Sequence, residues 1–345
     1  MPTANLVALA TAVPTYPLDQ EAVVERAKRL FAGAAGLDRL LPVFASSEIR
    51  RRYSSVPLDW FDEPHGWPER NRRYLATALE LLESAAGRAL DRAGMRSSEI
   101  GAIVVVSTTG IATPSLDALL IERMRFAPTV QRLPIFGLGC AGGVIGLARA
   151  ATLAAAMPDR AVLFLVVELC TLTFRRGDRA RSNIVAAALF GDGAAAALLH
   201  CGGAGPAVIA GGEHTWPQTL DIMGWEVAED GLKPVFSRDI PRLVIERMGA
   251  AARDFLGRHG LSLGDIDRFV CHPGGPKVIG ALEDAFGLGP GALDDARAVL
   301  RDYGNMSAAS VLFVLERMLA QKWECALITA LGPGFTAGFA VLSQG

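Results

Sequence analysis

An internal repeat constrains this 345-residue chain more than any other feature. Displaced by 166 residues, Leu90 falls on Leu256, Arg92 on Arg258, Gly94 on Gly260, Ile100 on Ile266 and Val104 on Val270, with Glu99 over Asp265. Each copy reads as a helix, a glycine stop and a short apolar strand. In the first copy Leu75, Leu79, Leu82, Ala86 and Leu90 mark a helix over 72–93, Gly94 ends it, and the strand Ala102–Val106 follows. A helix over Leu116–Met124 comes next. At the same offset, the GCAGG that opens a long helix toward Met157 falls on Asn305–Ala309. The buried strands Ala161–Val167 and Ala326–Leu331 follow at nearly matching distances. Two dissimilar αβ units packed face to face predict a five-layered α/β/α/β/α sandwich of two pseudo-symmetric halves. No linker rich in Pro, Gly or Ser separates them. Gly202–Gly212 comes nearest, dividing the chain into an N-terminal half, 1–205, and a C-terminal half, 206–345.

Composition removes several classes of function. Lys+Arg 34 against Asp+Glu 36 leaves a net charge of −2, with no basic excess for nucleic acid. A hydrophobic share of 51% argues against disorder. No uninterrupted apolar run reaches the ~18 residues of a membrane span: Arg149 and Asp159 cut the run from Ala141, and Asp192 cuts the one from Ile184. The N-terminus has no positive region ahead of its apolar patch and meets Pro14 and Pro17, which reads as a first strand rather than a signal peptide. Five irregularly spaced cysteines argue against a disulfide framework and for a reducing compartment. A soluble, cytoplasmic protein is expected.

Three residues carry the chemistry. Cys140 stands in GLGCAGG where a glycine turn meets a helix start, a place that favours thiolate and lets a substrate carbonyl approach backbone donors. His272 ends the strand Phe269–Cys271, with Pro273 stopping it, and suits acid/base or hydrogen-bonding work at a sheet rim. A metal role is disfavoured, because adjacent Cys271 and His272 point to opposite strand faces. Asn305 opens the second long helix and serves there as an N-cap. At the repeat offset it stacks on Gly139, beside Cys140, where a carboxamide could donate to an oxyanion. Cys, His and Asn suit acyl transfer on thioesters, since a carbon nucleophile made by loss of CO2 needs no carboxylate base. A rival signal is the GxGxxG of Gly137, Gly139 and Gly142, with Glu168 ending the next strand as a dinucleotide site requires. It is weak, because Pro134 interrupts the strand expected before the turn.

GLGCAGG, VCHPGGPKVI and YGNMSAAS, with ALFGDGAAAALL and ALGPGFTAG, resemble the type III polyketide synthases, the chalcone synthase-like enzymes. The resemblance runs the whole chain, and the Cys-to-His and His-to-Asn intervals of 132 and 33 residues suit it. It implies a thiolase-like fold, a homodimer, and a triad of Cys140, His272 and Asn305 that condenses an acyl-CoA starter with malonyl-CoA. No cofactor beyond CoA thioesters is implied. It also implies that Phe190 gates the acyl cavity, that Thr173, Ser307 and Cys170 line it, and that Gly332, Pro333 and Gly334 shape the cyclisation chamber. Arg50, Arg51 and Arg52, with Lys277, are cations that could meet CoA phosphates.

A second gating Phe is out of register: the run is Gly231-Leu232-Lys233-Pro234, and Phe236 comes two positions late. Fewer obstructions suit a medium or long acyl chain, hence an alkylpyrone or alkylresorcinol. A 3-oxoacyl-(acyl carrier protein) synthase III-like enzyme is the alternative, disfavoured because His272-Pro273-Gly274-Gly275 stands where that family usually carries His-Gln-Ala-Asn. The alternative of another class is a thiolase-fold protein that binds acyl chains without catalysis.

Overall fold

The computed structural model describes residues 2–32 and 41–344. The first half runs β1 (Ala4–Ala12), β2 (Tyr16–Asp19), α1 (Gln20–Leu30), α2 (Pro42–Ala45), β3 (Arg51–Ser54), α3 (Trp67–Ala93), β4 (Ile100–Val106), α4 (Leu116–Met124), β5 (Gln131–Ile135), α5 (Gly142–Ala156), β6 (Ala161–Leu169), α6 (Arg181–Leu189) and β7 (Asp192–Cys201). The second runs β8 (Ala207–Thr215), β9 (Met223–Ala228), β10 (Gly231–Phe236), α7 (Ile240–Arg258), β11 (Arg268–Cys271), α8 (Pro276–Phe286), α9 (Asp294–Tyr303), α10 (Ser310–Leu319), β12 (Cys325–Gly332) and β13 (Thr336–Ser343).

The duplication is visible in strand order. β1, β7, β6 and β4 lie side by side, antiparallel, antiparallel, then parallel. β8, β13, β12 and β11 repeat that sequence of pairings. The two wings are not separate sheets. They join through β1 and β8 at the Asn5–Ala207 pair, giving one nine-stranded mixed sheet in the order β11-β12-β13-β8-β1-β7-β6-β4-β5. The β7–β8 junction is a tight turn, so most of the stretch expected as a linker is strand β8.

Helices α5 and α10 lie between the wings, each packed on strands of both. α3 covers the outer face of β1, β6 and β7, and α7 packs outside β13, which makes five layers. The central helix is built to be approached closely. A Cβ on Gly146 would stand 2.5 Å from the Phe164 ring, and one on Gly143 2.2 Å from the Ala308 carbonyl oxygen. Glycine at these positions lets strand and helix backbones meet at interior packing density. The 18 residues Gly139–Ala156 have a mean hydropathy of 1.4, apolar enough by composition to cross a membrane despite Arg149. Their apolarity has another use here, because two thirds of the segment is buried between the wings.

One sequence expectation changes and one holds. Pro134 does not interrupt a strand: β5 runs through it as an edge strand paired, among the described residues, only with β4, where a residue without N–H is tolerated. Glu168 is the penultimate residue of β6, at the strand end as the sequence suggests.

Candidate active site

Two short turns converge at the centre of the molecule. Gly139–Ala141 leads into α5, and Ser307–Ala309 leads into α10. They face each other as duplicated helix starts would, and Cys140 Sγ lies 3.6 Å from Ser307 Oγ. The first turn needs glycine at 139, where φ is +47° and a Cβ would stand 2.5 Å from Pro333 Cδ. Gly332 has the same constraint from the opposite side, with Leu138 O 2.4 Å from where its Cβ would be. Gly332 and Pro333 therefore press directly against the nucleophile turn. The cavity wall itself is formed by the preceding Thr329, Ala330 and Leu331.

Cys140, His272 and Asn305 line one cavity of about 390 Å³, with Phe190, Met223 and Phe236 on its walls. His272 follows β11, and its N–H donates to the Thr329 carbonyl, which carries the sheet ladder one residue further. Both ring nitrogens are buried without a hydrogen-bond partner. Burial alone lowers the imidazole to about 3, so it is neutral at physiological pH and one nitrogen has a proton to donate. Asn305 is fixed through its backbone, its N–H donating to Leu189 O at 2.8 Å and its carbonyl accepting from Gly191 N at 3.0 Å. Its Oδ1 accepts from Ser307 N (2.9 Å), and one Nδ2 proton goes to Gly274 O (3.2 Å). The second amide proton is left for a ligand.

Burial pushes the Cys140 thiol up to about 12; the Ser307 hydroxyl works against this and Glu168 adds to it. The helix start therefore does not make a resting thiolate, as the sequence position suggested. No hydrogen bond joins the thiol to His272, whose nitrogens are both free. Below the nucleophile, Glu168 is fully buried and accepts from Thr108 N (3.0 Å) and Thr108 Oγ1 (2.6 Å). Desolvation raises it to about 7. Held this way, Glu168 is not available to a ribose at a sheet rim. Of the GxGxxG glycines, Gly139 packs against Pro333 and Gly142 against Val106, which leaves no cradle for a pyrophosphate there.

Phe190 lies between this cavity and a smaller one of about 60 Å³. The smaller cavity holds Cys170 and Thr173, neither of which reaches the main cavity; apolar residues such as Val23, Phe31, Phe61 and Phe174 make most of its wall, with Arg26, Arg52 and Thr171 among them. Phe236, two positions late in sequence, still reaches the gate, its ring centroid 5.8 Å from that of Phe190. Trp225 joins them at 6.2 Å. The gate is thus three aromatic rings and is not thinly obstructed.

The Arg50–Arg52 cluster is not a single surface. Successive residues of a strand point to opposite faces, so within β3 Arg52 is buried and Arg51 is exposed, paired with Asp19 (2.9 Å), while Arg50, ahead of the strand, pairs with Asp302 (3.3 Å). Neither Arg50 nor Arg51 lines the main cavity. Lys277 does, together with the exposed Arg181 and Arg238, which sequence reasoning missed along with Trp225.

The sequence matches the family of chalcone and stilbene synthases, its N-terminal domain over residues 2–206 and its C-terminal domain over residues 208–343. It is 39% identical to the 1,3,6,8-tetrahydroxynaphthalene synthase of Streptomyces peucetius subsp. caesius, over 98% of this chain and 92% of that one. It is 28% identical to the alpha-pyrone synthesis polyketide synthase-like Pks18 of Mycobacterium tuberculosis, over 95% and 88% of the two chains. The crystal structure of the tetrahydroxynaphthalene synthase of Streptomyces coelicolor A3(2), a bacterial type III polyketide synthase, superposes with a TM-score of 0.94 at 30% identity, covering 98% and 99%.

Proposed function

We propose, for a chain that belongs to the chalcone and stilbene synthase family and is a type III polyketide synthase, a malonyl-CoA-dependent acyltransferase, that Cys140, His272 and Asn305 carry its condensation. The observation that carries this is the neutral imidazole with two free nitrogens, sharing one cavity with the thiol and a carboxamide that has a proton to spare.

Cys140 loses its proton to His272 as the starter arrives, and the sulfur attacks the starter's thioester carbonyl. The tetrahedral intermediate collapses, CoA leaves as thiolate and takes the proton back from His272, and the acyl group stays on Sγ. Malonyl-CoA then binds with its thioester oxygen against His272 and Asn305. Loss of CO2 leaves the electron pair on the α-carbon as an enolate, which these two neutral donors stabilise in a water-poor site. The α-carbon attacks the acyl-Cys140 carbonyl, Cys140 leaves, and a β-ketoacyl-CoA forms with two more carbons. Return of that chain to Cys140 repeats the cycle, and ring closure ends it. Decarboxylation supplies the carbanion, so CoA thioesters are the only small molecules this scheme calls on. Arg181, Arg238 and Lys277 at the cavity mouth meet the CoA phosphates.

The proposed starter is a medium or long acyl chain, and the product an alkylpyrone or alkylresorcinol. The mostly apolar walls of the small cavity that shares Phe190 with the catalytic one support an alkyl tail, and a relative is named for alpha-pyrone synthesis. The relatives named for tetrahydroxynaphthalene favour a second reading, in which malonyl units alone build a fused aromatic without an alkyl arm. The protein is proposed to act in the cytoplasm, as a homodimer. The free edge of β5, with Leu133, Phe136 and Ile111 exposed nearby, supports pairing with a second copy.

Mass spectrometry of products from malonyl-CoA with starters from acetyl- to palmitoyl-CoA tests the reading. Products whose mass follows the starter support it. An aromatic formed equally from malonyl-CoA alone overturns the alkyl starter and supports the second reading.

A further inference from the structure

Among the described residues Arg52 is the largest side chain that is almost wholly enclosed, at 1% exposure; it stands in the wall of the small cavity behind Phe190, and no catalytic step above uses it. Among the described residues its guanidinium forms no ion pair in hydrogen-bond contact. Nη1 donates to the Phe190 carbonyl oxygen at 3.0 Å, while Nε and Nη2 have no partner. Its aliphatic stem fills the space over two glycines: a Cβ on Gly191 would stand 3.3 Å from Arg52 Cβ, and one on Gly304 3.4 Å from it. Those glycines flank a bridge between two functional residues. Phe190 and Asn305 pair as an isolated parallel β-bridge, closed by Asn305 N to Leu189 O and Gly191 N to Asn305 O. The strand that carries Arg52 is itself anchored, through Arg50 N to Arg301 O (2.8 Å) and Ser55 N to the Asp192 carboxylate (2.7 Å).

We infer that Arg52 is a positioning residue: it braces the Phe190–Asn305 bridge from behind, so that the gate ring and the enolate-binding carboxamide are held as one unit. The inference rests on the role proposed above for Asn305. An enclosed guanidinium is an expensive way to fill space, because desolvation is not offset by a direct counter-ion. Desolvation lowers it to about 10, so it is charged at neutral pH, with the Asp192 carboxylate as the nearby opposing charge. An apolar side chain would fill the same volume but give the Phe190 carbonyl no donor.

The test compares Arg52→Met, Arg52→Gln and Arg52→Lys in steady-state malonyl-CoA decarboxylation, with thermal melting and Cys140 alkylation by iodoacetamide alongside. Arg52→Met is expected to lose about ten- to a hundredfold in kcat, the cost of a displacement near 1 Å in a reacting group. Its KM for malonyl-CoA should stay within about threefold, since the mouth cations are untouched. Melting and Cys140 alkylation should stay near wild type. Arg52→Gln and Arg52→Lys keep a donor and should recover most of kcat, and they carry the test if Arg52→Met melts early. Wild-type kcat in Arg52→Met overturns the inference, as does a loss in all three variants that follows only their melting temperatures. A wild-type protein unable to decarboxylate malonyl-CoA removes the triad reading as well, which separates the two failures.

Discussion

Gly143→Ala puts a methyl group at the crossing of the two central helices. The new Cβ would lie 2.2 Å from the Ala308 carbonyl oxygen and 2.6 Å from Val311 Cγ1. The nearer neighbour is backbone, so a rotamer change cannot relieve the contact. The start of α10 must retreat by roughly 1 Å to restore an ordinary van der Waals separation. Alanine gains about 1 kcal/mol over glycine in helix propensity. Overpacking of a filled core costs about 1–3 kcal/mol, so the net expectation is a loss of about 0–2 kcal/mol, read as a lower urea midpoint at unchanged slope. The larger effect is on function. Ser307 and Asn305 sit just ahead of α10 and move with it, away from Cys140. Malonyl-CoA decarboxylation should fall about a hundredfold for a shift of that size, far more than the stability loss explains. A variant with the wild-type midpoint and wild-type turnover would show that the helices are not in this contact, and that the geometry ascribed to the two turns is wrong.

Two further expectations concern titration. The folded state holds His272 near 3 and the unfolded chain has it near 6.5, so below pH 6.5 the unfolded state takes up a proton that the folded state refuses. Stability contributed by the neutral imidazole is thus present above pH 6.5 and lost as pH falls toward 3. Between pH 7 and 5, His272→Gln should remove about 2 kcal/mol of the acid-induced loss, measured by urea titration at each pH; identical slopes for both proteins would contradict the burial account. The second concerns the thiol, raised to about 12 and hence dependent on the imidazole as proton acceptor. At pH 7, iodoacetamide should alkylate Cys140 more than about tenfold faster in wild type than in His272→Ala, and equal rates would show that the imidazole does not activate the sulfur.

Much of this site was legible because its parts lie at element ends that motifs mark. Cys140 follows a glycine turn that only glycine can make, His272 ends a strand stopped by proline, and Asn305 follows a glycine with positive φ. The repeat offset places Asn305 beside Cys140, and the two helix starts do converge. What stayed hidden depends on distant contacts. Trp225 and Phe236 reach the gate from a β9–β10 hairpin whose placement no local pattern encodes. Arg181 and Arg238 come to the cavity mouth from separate elements, and neither stands in an unbroken run of cations as Arg50–Arg52 does. That cluster misleads for a simple reason: strand alternation sends its middle and last members to opposite faces. The thiol's environment was also misread, because a helix start favours thiolate only where desolvation does not outweigh it.

The central claim divides the labour between sulfur and donors: Cys140 holds the acyl chain, while His272 and Asn305 make the enolate. Cys140→Ala and His272→Ala, assayed in parallel for CO2 release from malonyl-CoA and for extended products, test it most directly. The account predicts that Cys140→Ala makes no extended product yet still releases CO2, and that His272→Ala loses both. Product from Cys140→Ala, or undiminished CO2 release from His272→Ala, would contradict it.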